Sequence, residues 1–261
     1  MILLNWLVFP VLLIGALVLA ALWLRRRACV PLVILAVAAG FSLLGFLAQI
    51  LVIAVIRVAG VRNGLPWAVV GLPWAVVGLP ATVAVCSETF RYLSFRAGRA
   101  MRANRTSAGA LMAGLGYGGM CMIYASVVLA VRLLHGSRAP VGLFYALGFS
   151  FGFALYYACV IGVELGLATL VVLAYRRSRL YLPLAMIAHF VVNCTLVLAV
   201  YVHAVLWLLL PGPFWGATAI ALVVLARRSG WLEAPPRGET AAVVAMSPPD
   251  GSGVPIERTR L

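Results

Sequence analysis

The chain has 261 residues, of which 65% are hydrophobic and only 10% charged. A water-soluble core cannot hide that much apolar surface, so lipid is the solvent for most of the chain. The net charge of +14 comes from 20 arginines and no lysine, set between apolar runs, at their ends or in the tail. That distribution fits membrane topology and excludes an aromatic-interleaved basic domain for nucleic acid.

A window of about 20 residues, the length that crosses a bilayer as a helix, predicts an all-α polytopic fold with seven transmembrane helices. The spans run over 2–24, 31–56, 65–87, 108–131, 141–173, 181–202 and 204–226. His203 in a short turn and Pro211-Gly212-Pro213 blur the last two, so six or eight spans stay open. With the N-terminus outside and the C-terminus in the cytosol, sixteen arginines fall on the inner side. Only Arg57, Arg62, Arg132 and Arg138 fall outside, as the positive-inside rule requires.

The first span lacks a basic leading segment and is followed at once by Arg25-Arg26-Arg27, the charge order of an uncleaved anchor rather than a signal peptide. Cys29, next to the inner membrane face, is a candidate for acylation. The other cysteines, Cys86, Cys121, Cys159 and Cys194, have no metal or redox spacing and read as small packing residues. The third span opens with Gly64-Leu-Pro-Trp-Ala-Val-Val, repeated from Gly71, then Gly78-Leu79-Pro80. Pro66, Pro73 and Pro80 share one face, which reads either as a hinge or as a tolerated tandem duplication.

That span ends in Glu88-Thr89-Phe90-Arg91-Tyr92. A charge in hydrocarbon costs about 2.5–3.5 kcal/mol on insertion scales, and at i,i+3 the two side chains lie on one helix face and offset each other. The pair marks the interior of a bundle. Arg91 to Arg105 is the longest inner loop, with five arginines that anchor topology or meet anionic lipid. The fourth span carries Gly114-Leu-Gly-Tyr-Gly118, a smooth groove for close helix approach. The fifth repeats the spacing at Gly148/Gly152 and at Gly162/Gly166, the latter enclosing Glu164. In the sixth, His189 and Asn193 are four apart and share a face. They could ligate a metal, relay a proton or hydrogen-bond a neighbouring helix. A hydrolytic zinc site wants about three protein ligands, and Glu88, Glu164, His189 and Asn193 furnish it thinly, since His135 and His203 fall in outer turns. The sequons at Asn104 and Asn193 lie in an inner loop and within a span, out of reach of glycosylation. From Ser229 the composition turns to Pro, Gly, Ser and charge, which predicts a 1–228 membrane domain and a disordered 229–261 tail.

Seven spans with the N-terminus out, the Glu88-x-Phe-Arg91-aromatic stretch, the Gly114/Gly118 array, the basic Arg176-Arg177-Ser178-Arg179 and His189, in this order, resemble the Aph (anterior pharynx-defective) subunit of γ-secretase over about residues 1–228. The resemblance implies a non-catalytic scaffold without cofactor or metal. It would assemble presenilin, nicastrin and Pen-type subunits in endoplasmic reticulum, Golgi and onward secretory membranes. The spans hold no Asp, so the chain supplies no aspartyl dyad itself. It departs from the family at Met122, where a third glycine is usual, and in the fifth span, where Glu164 is the nearest polar residue to the family's His. In this reading Glu88, Arg91, Glu164, His189 and Asn193 form a buried polar network, and Gly114 and Gly118 dock a helix. More distantly, Glu88 with Arg91 and His189 with Asn193 resemble two of the three motifs of the CAAX-type intramembrane metalloproteases. Tyr117 stands near the place of the missing middle histidine. The alternative this implies is a metalloprotease using Glu88, Glu164 and His189.

Overall fold

The structure is a computed structural model, and it describes residues 2–62, 74–134, 143–201 and 211–232. Among these there is no strand. The helices are α1 (Ile2–Ala28), α2 (Val33–Arg62), α3 (Leu79–Ser94), α4 (Gly98–Ala103), α5 (Ser107–Leu134), α6 (Leu143–Arg176), α7 (Tyr181–Tyr201) and α8 (Pro211–Arg228). A single π turn, Trp74–Gly78, leads into α3. Three of these helices contain stretches long and apolar enough to cross a membrane: Val33–Ala59 in α2, Leu155–Arg176 in α6 and Tyr181–Leu198 in α7. The first proline repeat, His135, His203 and the tail from residue 233 lie outside the described residues.

α6 is the axis of the bundle. It packs against α1, α5, α7 and α8, while α2 packs on α5 and α3, and α3 packs on α7. It is buried along most of its apolar length, whereas α2 and α7 turn most of theirs outward. Helices that are apolar all round cannot sort themselves by amphipathic stripe. Small residues and polar groups decide which faces meet instead.

A buried core lies where the C-terminal ends of α1, α3, α6 and α8 gather. There Ile34, Phe95, Met101, Met112, Leu173, Ala226 and Leu232 are buried together. The arginine-rich 91–105 loop is folded into this end rather than free. Arg105 donates through Nε and Nη2 to the Phe95 carbonyl at 3.2 and 2.8 Å, and its guanidinium lies 3.9 Å over the Tyr175 ring. Tyr175 stacks on Tyr92 at 4.4 Å and donates to the Tyr92 carbonyl at 2.6 Å. Burial holds Arg105 below the ordinary arginine pKa, and the neighbouring Tyr175 offsets this in part. Arg96, Arg99 and Arg102 remain exposed.

Local signals set the helix ends. Thr106 caps α5, its Oγ1 accepting from the Gly109 amide at 3.2 Å. α1 stops at Cys29, which takes the left-handed conformation (φ 53°) usually left to glycine. Pro80 sits in the first turn of α3, where its missing N–H costs no helical hydrogen bond. The folded body also continues past Arg228. Leu232 is fully buried, and Arg177 Nε donates to the Trp231 carbonyl at 3.3 Å, so the first four residues of the expected tail belong to the bundle.

Candidate functional site: a buried ion cluster under an apolar cavity

α3 brings Glu88 and Arg91 to one face, α6 brings Glu164 and α7 brings His189, and all four side chains are buried. Glu88 Oε1 stands 3.1 Å from Arg91 Nη1 and 2.7 Å from His189 Nδ1. Arg91 Nη2 pairs with Glu164 Oε2. The guanidinium thus bridges two carboxylates 76 positions apart in sequence, and lies 4.5 Å over the Tyr117 ring of α5. Ser94 Oγ donates to the Arg91 carbonyl at 2.7 Å.

The described residues of the cluster carry two carboxylates and one guanidinium, an excess of one negative charge. In a low dielectric these attractions are strong, and so is the cost of leaving any member alone.

Tyr117 forms an aromatic lid over Arg91. Asn193 does not join the cluster. It is half-buried one turn beyond His189, and its Nδ2 finds no acceptor among the described residues. Sequence reading also passes over Gln49, whose Nε2 donates to Ser87 Oγ at 2.8 Å beside Glu88. The signal was there: Gln49 is the one amide side chain in α2.

The glycine array of α5 is filled by the chain itself. A Cβ on Gly114 would stand 2.8 Å from Leu165 Cα, and one on Gly118 3.3 Å from Ile161 Cα, both on α6. The intervening Gly116 faces the other way, where a Cβ would come within 2.9 Å of Ala38 on α2. α6 makes a second such seam with α8, since a Cβ on Gly166 would lie 2.7 Å from that of Ala219. The helix docked by Gly114 and Gly118 is therefore intramolecular, and a partner helix would have to use another face.

Beside the cluster lies a cavity of about 540 Å³, walled by α2, α3, α5, α6, α7 and the start of α8. Its walls are mostly apolar, and its floor carries Gln49, Ser87, Cys121, Glu164, His189 and Asn193.

The donor set does not fit a catalytic metal. Both carboxylates are already engaged by Arg91, and the one imidazole is hydrogen-bonded to Glu88 through Nδ1. A divalent cation there would sit against a fixed guanidinium. Among the described residues no group of three or more His, Cys, Asp or Glu is placed to hold a metal.

No protein-family model, no curated protein and no solved structure matches the chain.

Proposed function

We propose that the chain is a seven-span membrane scaffold, N-terminus outside and C-terminus cytosolic, acting without chemistry of its own. It would serve in assembly of an intramembrane aspartyl protease complex of the γ-secretase kind, with presenilin-, nicastrin- and Pen-type subunits as partners in secretory membranes. The observation that carries the non-catalytic part is the position of Arg91. Its guanidinium fills the space between Glu88 and Glu164, the two carboxylates a hydrolytic site would need free. A cation held between buried carboxylates fixes how α3 and α6 meet, a role for which buried polar groups are suited. The Aph-type assignment rests on the order of motifs along the chain.

Two consequences follow for assembly. The Gly114/Gly118 groove is occupied by α6, so partners would contact the outward faces of α1, α2 and α7, which carry exposed Leu19, Leu51 and Ile187 among others. The ion cluster would act by holding those faces in register.

Purification from native membranes in mild detergent tests the proposal. Recovery in fixed stoichiometry with an aspartyl intramembrane protease subunit is the expected result. Stoichiometric zinc together with chelator-sensitive cleavage of a membrane peptide would replace the scaffold with a metalloprotease.

A further inference from the structure

We propose that the cavity beside the ion cluster binds a single-chain amphiphile with a cationic amine head. This goes beyond the scaffold reading and does not depend on it. Four observations carry the inference. First, the cavity volume, about 540 Å³, lies within the roughly 300–1,000 Å³ of small-molecule sites. It suits one alkyl chain with a small head rather than a two-chain lipid.

Second, the cavity reaches the protein's outer surface beside α2 and α5, the side that a surrounding bilayer would cover. Leu43, Leu47, Ile123 and Val127 line it and are also exposed. Phe46 and Tyr124 pair across this gap with ring centroids 4.0 Å apart. A chain dissolved in the bilayer can reach the cavity without crossing water.

Third, polarity is concentrated where a head would come to rest. Glu164 Oε2 is taken by Arg91, while Oε1 has the Cys121 thiol at 3.9 Å, a weak donor at long range. Asn193 Nδ2, which lines the same cavity, has no acceptor among the described residues. An ammonium head donates to Glu164 Oε1, and a hydroxyl beside it, as in an amino alcohol, would also accept from Asn193 Nδ2.

Fourth, the sign of the charge selects the head. Glu88, Glu164 and Arg91 leave one negative charge in excess beneath the cavity. Two carboxylates thus share one guanidinium, and no second Arg or Lys among the described residues lines the cavity. An ammonium placed at Glu164 Oε1 supplies the missing positive charge directly. A carboxylate head meets repulsion, and a neutral alcohol leaves the excess in place.

The test uses the full chain in phosphatidylcholine nanodiscs, with tritiated dodecylamine as the probe and unlabelled dodecylamine, dodecanol and dodecanoic acid as competitors. Nonspecific partition into the bilayer is read from Val160→Phe, which fills the cavity from α6 without touching the ion cluster. Expected are one saturable site per chain and an amine at least tenfold better than the alcohol or the acid. Val160→Phe should weaken binding at least tenfold at an unchanged elution profile. Glu164→Gln, which keeps an acceptor oxygen but removes the charge, should erase the preference for amine over alcohol. If that variant fails to fold, the wild-type competition and Val160→Phe still decide. Equal competition by the three heads, undiminished binding in Val160→Phe, or no saturable binding overturns the proposal.

Discussion

Two kinds of contact hold this bundle, and they differ in what each can fix. Where α5 meets α6, and α6 meets α8, glycines let backbones touch. Attraction there is many small dispersion contacts, because lipid offers no hydrophobic drive between helices. Where α3, α6 and α7 meet, a few charged groups converge and any misplacement leaves one of them unpaired in hydrocarbon. The glycine seams supply close approach along a length of helix. The ion cluster supplies one permitted register. An all-apolar helix such as α6 needs both, since its own surface hardly distinguishes one face from another.

Substitutions that spare one kind of contact and break the other separate these roles. The largest effect should come from Arg91→Met, which strands Glu88 and Glu164. Removing one partner of a buried ion pair costs about 3–5 kcal/mol, so the purified protein should lose its cooperative thermal transition or unfold far below wild type. Gly114→Leu should come next, because its side chain meets the Leu165 backbone and cannot be accommodated by a rotamer change. Overpacking of this kind typically costs about 1–3 kcal/mol. α6 should separate from α5, read as loss of a disulfide engineered across that seam.

Gly118→Ala is a milder probe of the same seam, since its Cβ stands 3.2 Å from the Ile161 side chain. The variant should lower the unfolding temperature by a few degrees, with oligomeric state unchanged. At the bottom of the series, Cys29→Gly relieves a left-handed residue at the end of α1. It should stabilise the chain by about 1 kcal/mol, measured by the same thermal unfolding. A larger effect from Gly118→Ala than from Arg91→Met would reverse the roles assigned to the two contacts.

The helical class, the polar interior and the glycine spacing are legible in the sequence because each depends on short-range periodicity. Glu88 and Arg91 share a face by their three-residue step, and an ionisable group such as Glu164 or His189 at membrane depth must turn inward. What pairs with what is not legible. Glu164 lies 73 positions from Arg91 and His189 lies 101 from Glu88, and their meeting depends on how apolar helices rotate against one another. For the same reason the occupant of the Gly114/Gly118 groove could not be read, since any small-faced helix would fit. Asn193 shares the cavity-facing side of α7 with His189, as the four-residue step implies, yet its Nδ2 makes no hydrogen bond among the described residues. Gln49 and Ser87 were passed over because neutral polar residues raise no alarm in an apolar run. Trp231 and Leu232 were hidden by the polar composition that follows them.

The central claim is that Arg91 is a structural cation shared by Glu88 and Glu164. Its most direct test compares thermal unfolding of Arg91→Met with that of the triple variant Glu88→Gln/Arg91→Met/Glu164→Gln in the same detergent. Neutralising all three removes the stranded charges, so the triple variant should recover most of the stability that the single variant loses. A triple variant no more stable than Arg91→Met, or an Arg91→Met as stable as wild type, would contradict the claim.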